Sequence, residues 1–431
     1  MISPARKLCF DLLRRIHAQK IHSDDGLNSP AVERLDLRDR HFTTEIVYGS
    51  LRWQGILDYV LAAASSRPWQ DVVPGARILL RMSLYQMWRM DRVPDHALVN
   101  DAVELAKIEL GDGIDRFVNA VLRRLGRTRP WQEEAFLRKA PPWVRVSLPC
   151  WLWDRWAARY GEGQAHDFAL SLNVPPRATV RLDENPDQRP DPEMEPSDIV
   201  PDAYFETTSG SGRKQGEPRR IHYQDEASQL VPHLLGPVRG WRIWDACAAP
   251  GGKYDILCRK CGAGGLAVAS DLRGERISRL VRLLQKAKGL RAEVLVADAC
   301  APAPFRDCFD AVVADVPCSG LGTLRRNPEI KWHFQPERLA SLQQTQERIL
   351  DSVSKAVRAG GWLLYSTCST EPEENEQVVE SFLAGHKDFG LARPLHPPGI
   401  EAWTGQDMMV RTFPSTRLWD GFFAALMARQ P

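Results

Sequence analysis

A chain of 431 residues and 48.7 kDa is too long for one ordinary domain and fits two or three. Hydrophobic residues at 43% and charged residues at 26% describe a foldable soluble protein, and a formal charge of +2 excludes a strongly basic tail protein while leaving room for a local nucleic-acid face. Nine scattered cysteines predict free thiols in a reducing, cytoplasmic setting rather than a disulfide scaffold, and neither a membrane span nor a targeting signal is readable.

Residues 1–140 read as an all-helical domain. Ile78, Met82 and Tyr85 recur at helical spacing, as do Val99, Val103, Ala106 and Leu110, and then Val118, Val121, Leu122 and Leu125. This part holds 22 Lys/Arg against 18 Asp/Glu, with Arg116, Arg123, Arg124, Arg127 and Arg129 close together. That cluster suits an RNA face and equally suits a solvated helix face. Residues 141–222 read as a bridging subdomain, with short helices around Trp151–Tyr160 and Gly163–Leu172 and a strand over Ala178–Leu182. Eight acidic residues and five prolines in 183–202 predict an exposed irregular connection. The basic stretch SGSGRKQGEPRR follows.

From about residue 223 short apolar runs alternate with helical patterns, which predicts a parallel α/β sheet. The expected strands are Arg242–Ala246, Leu266–Ser270, Glu293–Ala297, Ala311–Ala314 and Trp362–Ser366, with helices over Arg276–Lys288 and Leu339–Val357. The end, MMVRTFPSTRLWDGFFAALMAR, reads as two strands joined by a turn at the antiparallel edge of that sheet.

The first of these strands runs into DACAAPGGK, residues 245–253. Gly251 and Gly252 permit a close turn into a helix whose first N–H groups face a ligand. No Lys-Ser/Thr pair follows the glycines, so this is no phosphate loop, and it is not G-x-G-x-x-G. Asp271 ends the second strand, where a carboxylate accepts from both hydroxyls of a ribose. Asp298 follows the third, in reach of an adenine amino group. Each also fits a local cap. Acids at successive strand ends favour S-adenosylmethionine over a nicotinamide.

The fourth and fifth strands end in Asp315-Val316-Pro317-Cys318-Ser319-Gly320 and Ser366-Thr367-Cys368-Ser369, which puts two cysteines on the ligand-binding edge of the sheet. Their chemistry fits a cytosine. Its C5 is too poor a nucleophile to take a methyl group directly, but thiolate addition at C6 makes an enamine whose C5 attacks an electrophilic methyl. An acid near N3, with Asp315 the best placed, stabilises the adduct. A second thiol or a water then removes the C5 proton. Spacing alone leaves open which cysteine attacks, since DNA cytosine methyltransferases use a Pro-Cys cysteine.

DACAAPGGK, Asp271, Asp298, DVPCSG, RRNPEIKW, YSTCS and EPEENE, with IHYQDEASQ at 221–229 and NVPPRATVRL at 173–182, resemble the bacterial 16S ribosomal RNA (cytosine-5)-methyltransferase B family (Sun/Fmu-type) of the Nop2/Sun RNA methyltransferases. RFVNAVLRR at 116–124 resembles a NusB-like helical RNA-binding domain. The resemblance covers nearly the whole chain. It implies a NusB-like domain over 1–140, a small α/β subdomain over 141–222, and a Rossmann-like class I methyltransferase domain over 223–431. It assigns the nucleophile to Cys368 and adduct resolution to Cys318. It places Cys247, Ala248, Ala249, Pro250, Gly251, Gly252, Lys253, Asp271, Arg276, Asp298 and Asp315 around S-adenosylmethionine, and Lys253 either on the base or against Asp315.

The substrate so implied is small-subunit RNA, naked or partly assembled, with its target base unstacked. The same chemistry on transfer RNA or large-subunit RNA is the first rival, and a non-catalytic RNA-binding or antitermination-like protein the second. In RRNPEIKWH, two arginines, Lys331 and Trp332 suit phosphate guidance and base packing, or scaffold. RLWDGFF departs from the family's GTDGFF-like turn, so Arg417–Trp419 is expected to form a different loop. Cys258-Arg259-Lys260-Cys261 is a lone C-x-x-C without further ligands in sequence, and no metal is expected. Cys9, Cys150 and Cys247 read as packing residues. No obligate protein partner is expected, and a monomer is the default.

Overall fold

In a computed structural model that describes residues 2–90, 94–182, 194–206, 221–284, 291–417 and 419–431, the chain divides into two units. One comprises Met1–Pro175 with Leu324–Phe334, the other Pro176–Thr323 with Gln335–Pro431. The stretch 141–222 is shared between them: its helices fall in the first unit and its strands in the second.

The first unit is helical because its apolar residues recur every third or fourth position. Its longer helices are Pro4–His17, Leu37–Arg52, Gln54–Ala64, Pro74–Arg89, Asp95–Glu109, Ile114–Thr128, Cys150–Tyr160 and Glu162–Ser171. Helix Ile114–Thr128 buries Phe117, Val118, Val121, Leu122 and Leu125 as one stripe in the core. The opposite face leaves Arg116, Arg123, Arg124 and Arg127 exposed. Arg129, just past the helix, is partly buried and pairs with Asp95 at 2.6 Å.

Leu324–Phe334 is internal to this unit. Arg325 is wholly buried and donates to the carbonyls of Val174 and Pro175 (3.3 and 3.1 Å). Buried Lys331 donates to the Arg52 carbonyl (2.8 Å), the Trp332 indole N–H to the Leu51 carbonyl (2.7 Å), and the Glu329 carboxylate accepts from Ser23 N and Oγ (3.0 and 2.8 Å). Burial pushes the Lys331 ammonium well below its ordinary range. Of the two uses open to Lys331 in sequence, the structure has the scaffold one.

The second unit has two sheets. The smaller is antiparallel, of β1 (Thr179–Leu182), β2 (Met194–Pro196), β3 (Ala203–Glu206) and β4 (Ile221–Tyr223) in the order β2-β3-β1-β4. Strand β2 and the buried Val200 occupy part of the region 183–202 expected to be irregular, and β3 follows it directly. Residues 183–193, and 207–220 with the basic stretch, lie outside the described residues.

The larger sheet contains β5 (Arg242–Asp245), β6 (Leu266–Asp271), β7 (Ala292–Val296), β8 (Phe309–Asp315), β9 (Val357–Thr367), β10 (Phe389–Ala392), β11 (Val410–Arg411) and β12 (Phe423–Arg429). Its order is β10-β12-β9-β8-β5-β6-β7, with β11 on β12. Strands β9, β8, β5, β6 and β7 are parallel. Both faces are buried: Ile243, Val313 and Leu364 enter one core cluster, and Trp244, Val312 and Tyr365 the other.

All five expected parallel strands form. The expected helix Leu339–Val357 is shorter, Arg338–Val353, because Val357 already pairs with Phe309 and opens β9. The two expected C-terminal strands form and pair antiparallel, but their place at the edge of the sheet is corrected. β11 is only two residues long, Pro414–Arg417 is a short helix, and β12 lies inside the sheet between β9 and β10. Phe423–Met427 are all buried, as an interior strand requires, and β10 takes the edge. No described helix is long and apolar enough to cross a membrane.

Candidate active site

The order of the parallel strands reverses between β5 and β8, and there their carboxyl ends open a crevice. Chain leaving β5 is held to both neighbours: Ala246 N donates to the Val313 carbonyl (2.9 Å) and Ala248 N to the Ser270 carbonyl (2.8 Å). Gly251, at φ +110°, makes the left-handed turn that starts helix Gly252–Cys261. Buried Arg181 of β1 braces this start, donating to the Gly252 carbonyl (3.0 Å) and to Asp255 Oδ2 (2.6 Å). A cavity of about 390 Å³ results, lined by Cys247–Lys253, Asp245, Asp255, Asp315, Arg181, Ser228 and His222–Gln224.

Asp245 ends β5 inside this cavity, almost wholly buried, and its Oδ1 has no hydrogen-bond partner. Burial first, then the charge of Asp315, pushes its carboxyl up to about 8, with Lys253 pulling the other way. An unsatisfied buried carboxyl beside a second carboxylate fits a ligand that carries positive charge, which S-adenosylmethionine does at its sulfonium and ammonium groups. Below pH 8 the free enzyme holds a proton on Asp245, and a cationic ligand favours the ionised form. Cofactor binding near neutral pH should therefore release up to about one proton, and affinity should rise as pH approaches 8. Titration calorimetry in buffers of different ionisation enthalpy reads the release, and Asp245→Asn should remove it.

Lys253, one residue into the helix, reaches Asp315 at the end of β8: Nζ donates to Oδ2 at 2.7 Å. The register places Ser366 of β9 opposite Asp315, and Ser366 Oγ donates to Oδ1 at 2.7 Å. Both carboxylate oxygens are thus engaged. Burial pulls the Lys253 ammonium down, but the charge and hydrogen bond of Asp315, with the charges of Cys368 and Asp245, together outweigh it, and the net shift is upward.

The loops leaving β8 and β9 bring the Sγ atoms of Cys318 and Cys368 to 3.0 Å, and Cys368 N donates to Cys318 Sγ at 3.3 Å. The Cys318 thiol is pushed well above its ordinary value by its hydrogen bond to Cys368, by burial, and by the charges of Cys368 and Glu374. Gly322 locks the loops together: its N–H donates to the Cys368 carbonyl (2.9 Å) and its carbonyl accepts from Gly421 N (2.8 Å). A Cβ at Gly322 would lie 1.8 Å from the Gly421 carbonyl oxygen, so no side chain fits.

The structure thus brings together Cys318, Cys368, Asp315, Lys253 and the loop Cys247–Gly252. Asp271, Arg276 and Asp298 stand beside β6 and β7, outside the lining of the described cavity. Asp271 is buried and accepts from Arg273 N (3.0 Å). Exposed Asp298 accepts from Cys300 N (2.9 Å), so both make local caps, and Arg276 is exposed on the helix that follows β6. Cys258 and Cys261 are buried along helix Gly252–Cys261, and among the described residues no group of three or more His, Cys, Asp and Glu is placed to hold a metal ion. In the turn that departs from the family pattern, Trp419 is buried against Trp403 and its indole N–H donates to Glu226. Three residues had no role in the sequence reading: Asp245, Ser366 and Glu374. The strand-end rule that selected Asp271 would have selected Asp245. Ser366 and Glu374 carry no signal outside their motifs.

A parallel sheet of this order, with a glycine turn after its first strand and a cavity lined by strand-end carboxylates, defines a class I S-adenosylmethionine-dependent methyltransferase, here with a helical N-terminal region. Residues 232–428 match the family described as 16S rRNA methyltransferase RsmB/F, and residues 3–127 match the NusB family. A Synechocystis protein named probable ribosomal RNA small subunit methyltransferase B is 31% identical over 447 residues, covering 99% of both chains. The ribosomal RNA small subunit methyltransferase B of Thermus thermophilus is 34% identical over 362 residues, covering 84% of this chain and 82% of its own. The crystal structure of PH0851 shares the fold over 99% of both chains, with a TM-score of 0.77 at 24% identity. The chain belongs to the RsmB/F family of 16S rRNA methyltransferases, with a NusB-family region at its N-terminus.

Proposed function

We propose that the protein methylates C5 of a specific cytosine in small-subunit ribosomal RNA, through a covalent bond between Cys368 and C6 of the base. The observation that carries this reading is the pair of thiols 3.0 Å apart, beside the Lys253–Asp315 pair at the carboxyl ends of β8 and β9. A single nucleophile gives no use to a second thiol in contact with it; a base that must be attacked and then released does, since its C5 proton needs an acceptor. Cys368 adds to C6, with Asp315 near N3 and Lys253 against the base or steadying Asp315. S-adenosylmethionine, when bound, supplies the electrophilic methyl group to C5. Cys318 then takes the C5 proton, and the electron pair of that C–H bond expels Cys368.

The backbone of Cys247–Lys253, with Asp271, Arg276, Asp298 and Asp315, would hold the cofactor. In this reading residues 1–140 contact RNA through faces such as that of Arg116, Arg123, Arg124 and Arg127, residues 141–222 bridge, and 223–431 carry the chemistry. The free thiols among nine cysteines suit a cytoplasmic enzyme acting on naked or partly assembled RNA, as a monomer.

The test uses methyl-labelled S-adenosylmethionine with unmodified small-subunit, large-subunit and transfer RNAs, followed by nucleoside analysis and mapping. Label as 5-methylcytosine at one small-subunit site is the expected result. Label confined to another RNA would overturn the substrate, and no label in any RNA, with cofactor bound, would favour a binding protein.

A further inference from the structure

Glu374 lies in the EPEENE stretch and is fully buried. Its Oε1 accepts from Ser319 N (2.7 Å) and Gln346 Nε2 (3.1 Å), and its Oε2 from Ser319 Oγ and Ser369 Oγ (2.5 Å each). Each serine oxygen also accepts a backbone N–H, from Leu321 (3.3 Å) or Glu371 (3.1 Å), and the two hydroxyls lie 3.2 Å apart, farther from each other than from Glu374. Burial pushes the Glu374 carboxyl above its ordinary range, but donors converging on both oxygens oppose that push and fit a carboxylate rather than an acid. Ser319 follows Cys318 and Ser369 follows Cys368, so one anion ties the two cysteine-bearing loops. Asn375 extends the tie, accepting from Thr367 Oγ1 (2.6 Å) and donating to the Ser369 carbonyl (3.0 Å).

We propose that Glu374 is a positioning residue that makes the two cysteines unequal, clamping their loops at a fixed spacing and setting its negative charge on the Cys318 side, so that Cys368 is the thiol that attacks and Cys318 the one held back for the C5 proton. The inference rests on the cysteine chemistry proposed above. The thiol pair is flanked by opposite charges. The backbone N–H next to Cys318 donates to Glu374, whereas the Lys253 ammonium interacts with Cys368. The other titratable groups around them are Asp315, held by Lys253 and Ser366, and buried Tyr365, whose hydroxyl donates to the Glu374 carbonyl (2.5 Å) and which burial keeps protonated. Cys318 Sγ accepts from Cys368 N and lies 3.0 Å from Cys368 Sγ, so the two sulfurs share one hydrogen-bonded contact.

The asymmetry also orders the reaction. Bonding of Cys368 to C6 removes the hydrogen bond that does most to hold the Cys318 proton, and with it the Cys368 charge, leaving burial and Glu374. That proton then leaves to water, and the Cys318 thiolate takes the C5 proton. The Glu374 charge makes it a stronger base for doing so.

The experiment is alkylation of the full-length protein by iodoacetamide across a pH series, with each cysteine followed by peptide mass mapping, beside methylation kinetics on RNA. In the wild type Cys368 should react at lower pH than Cys318. Glu374→Gln should move the onset for Cys318 down by about one pH unit or more. It should also lower kcat about a hundredfold with KM for RNA little changed. Glu374→Asp, which keeps the charge, should keep the wild-type order of alkylation. An unchanged Cys318 profile and unchanged kcat in Glu374→Gln would overturn the proposal. Should that variant not fold, Ser319→Ala and Ser369→Ala decide instead: a fall in kcat in either supports the clamp, and normal kcat in both overturns it. A wild type that alkylates in the expected order but makes no 5-methylcytosine would overturn the reaction proposed for the site and leave the asymmetry standing.

Discussion

Cys368→Ala should lose 5-methylcytosine formation by about 10⁴-fold or more and should form no covalent complex with RNA. Cys318→Ala should also lose turnover, yet accumulate a complex that survives denaturing electrophoresis. The difference follows from where each thiol acts. Without Cys368 no bond to C6 forms, so C5 never becomes nucleophilic. Without Cys318 addition and methyl transfer proceed, but the C5 proton stays and the S–C6 bond cannot break. The structure sharpens the contrast because each Sγ is the other's neighbour at 3.0 Å, so removing Cys318 leaves the Cys368 loop tied through Ser369 to Glu374. The converse pattern, with the adduct trapped by Cys368→Ala, would exchange the two roles. Turnover retained by Cys368→Ala would remove the covalent route.

Much of this arrangement is legible in the sequence because it depends on local features. Strand β8, FDAVVAD, is apolar enough for a strand buried on both faces, and the residues that end such strands share one edge of the sheet. Asp315, Cys318 and Cys368 can therefore be gathered before any coordinates are known. What escapes is set by tertiary pairing. β10, FGLA, is a short mixed run with no strand signal of its own, and it exists because β12 offers it a partner. β12 reads as an edge only if β10 is unseen. Lys331 shows a different limit. A basic residue beside a catalytic loop reads as a nucleic-acid contact, and only the fold reveals the Arg52 carbonyl that accepts its hydrogen bond. Glu374 is hidden for a third reason: its partners Ser319 and Gln346 lie 55 and 28 residues away, and the donors that meet on it become countable only once the loops are in place.

Asp315→Asn should reduce methylation by about 10²- to 10⁴-fold, and should abolish the complex that Cys318→Ala traps. The second effect separates two stages. If Asp315 supports addition at C6, by acting near N3 as charge moves onto the ring, its loss stops the reaction before any covalent bond exists. If it served only cofactor binding, the adduct would still form and only methyl transfer would fail. The Lys253 ammonium shapes the pH profile of the variant. In the wild type burial pulls that ammonium down and Asp315, helped by Cys368 and Asp245, more than restores it, so its value lies above that of an ordinary lysine. Asparagine removes the largest of the opposing contributions and leaves burial countered only by Cys368 and Asp245, which lowers the folded-state value. The residual activity of Asp315→Asn should then fall at a lower alkaline pH than that of the wild type. Lys253→Met should cost activity by itself, and combining it with Asp315→Asn should cost little more than Asp315→Asn alone, since the pair acts as one unit through its 2.7 Å hydrogen bond. Strictly additive losses, with no displacement of the alkaline limb, would mean that Lys253 meets the substrate independently of Asp315.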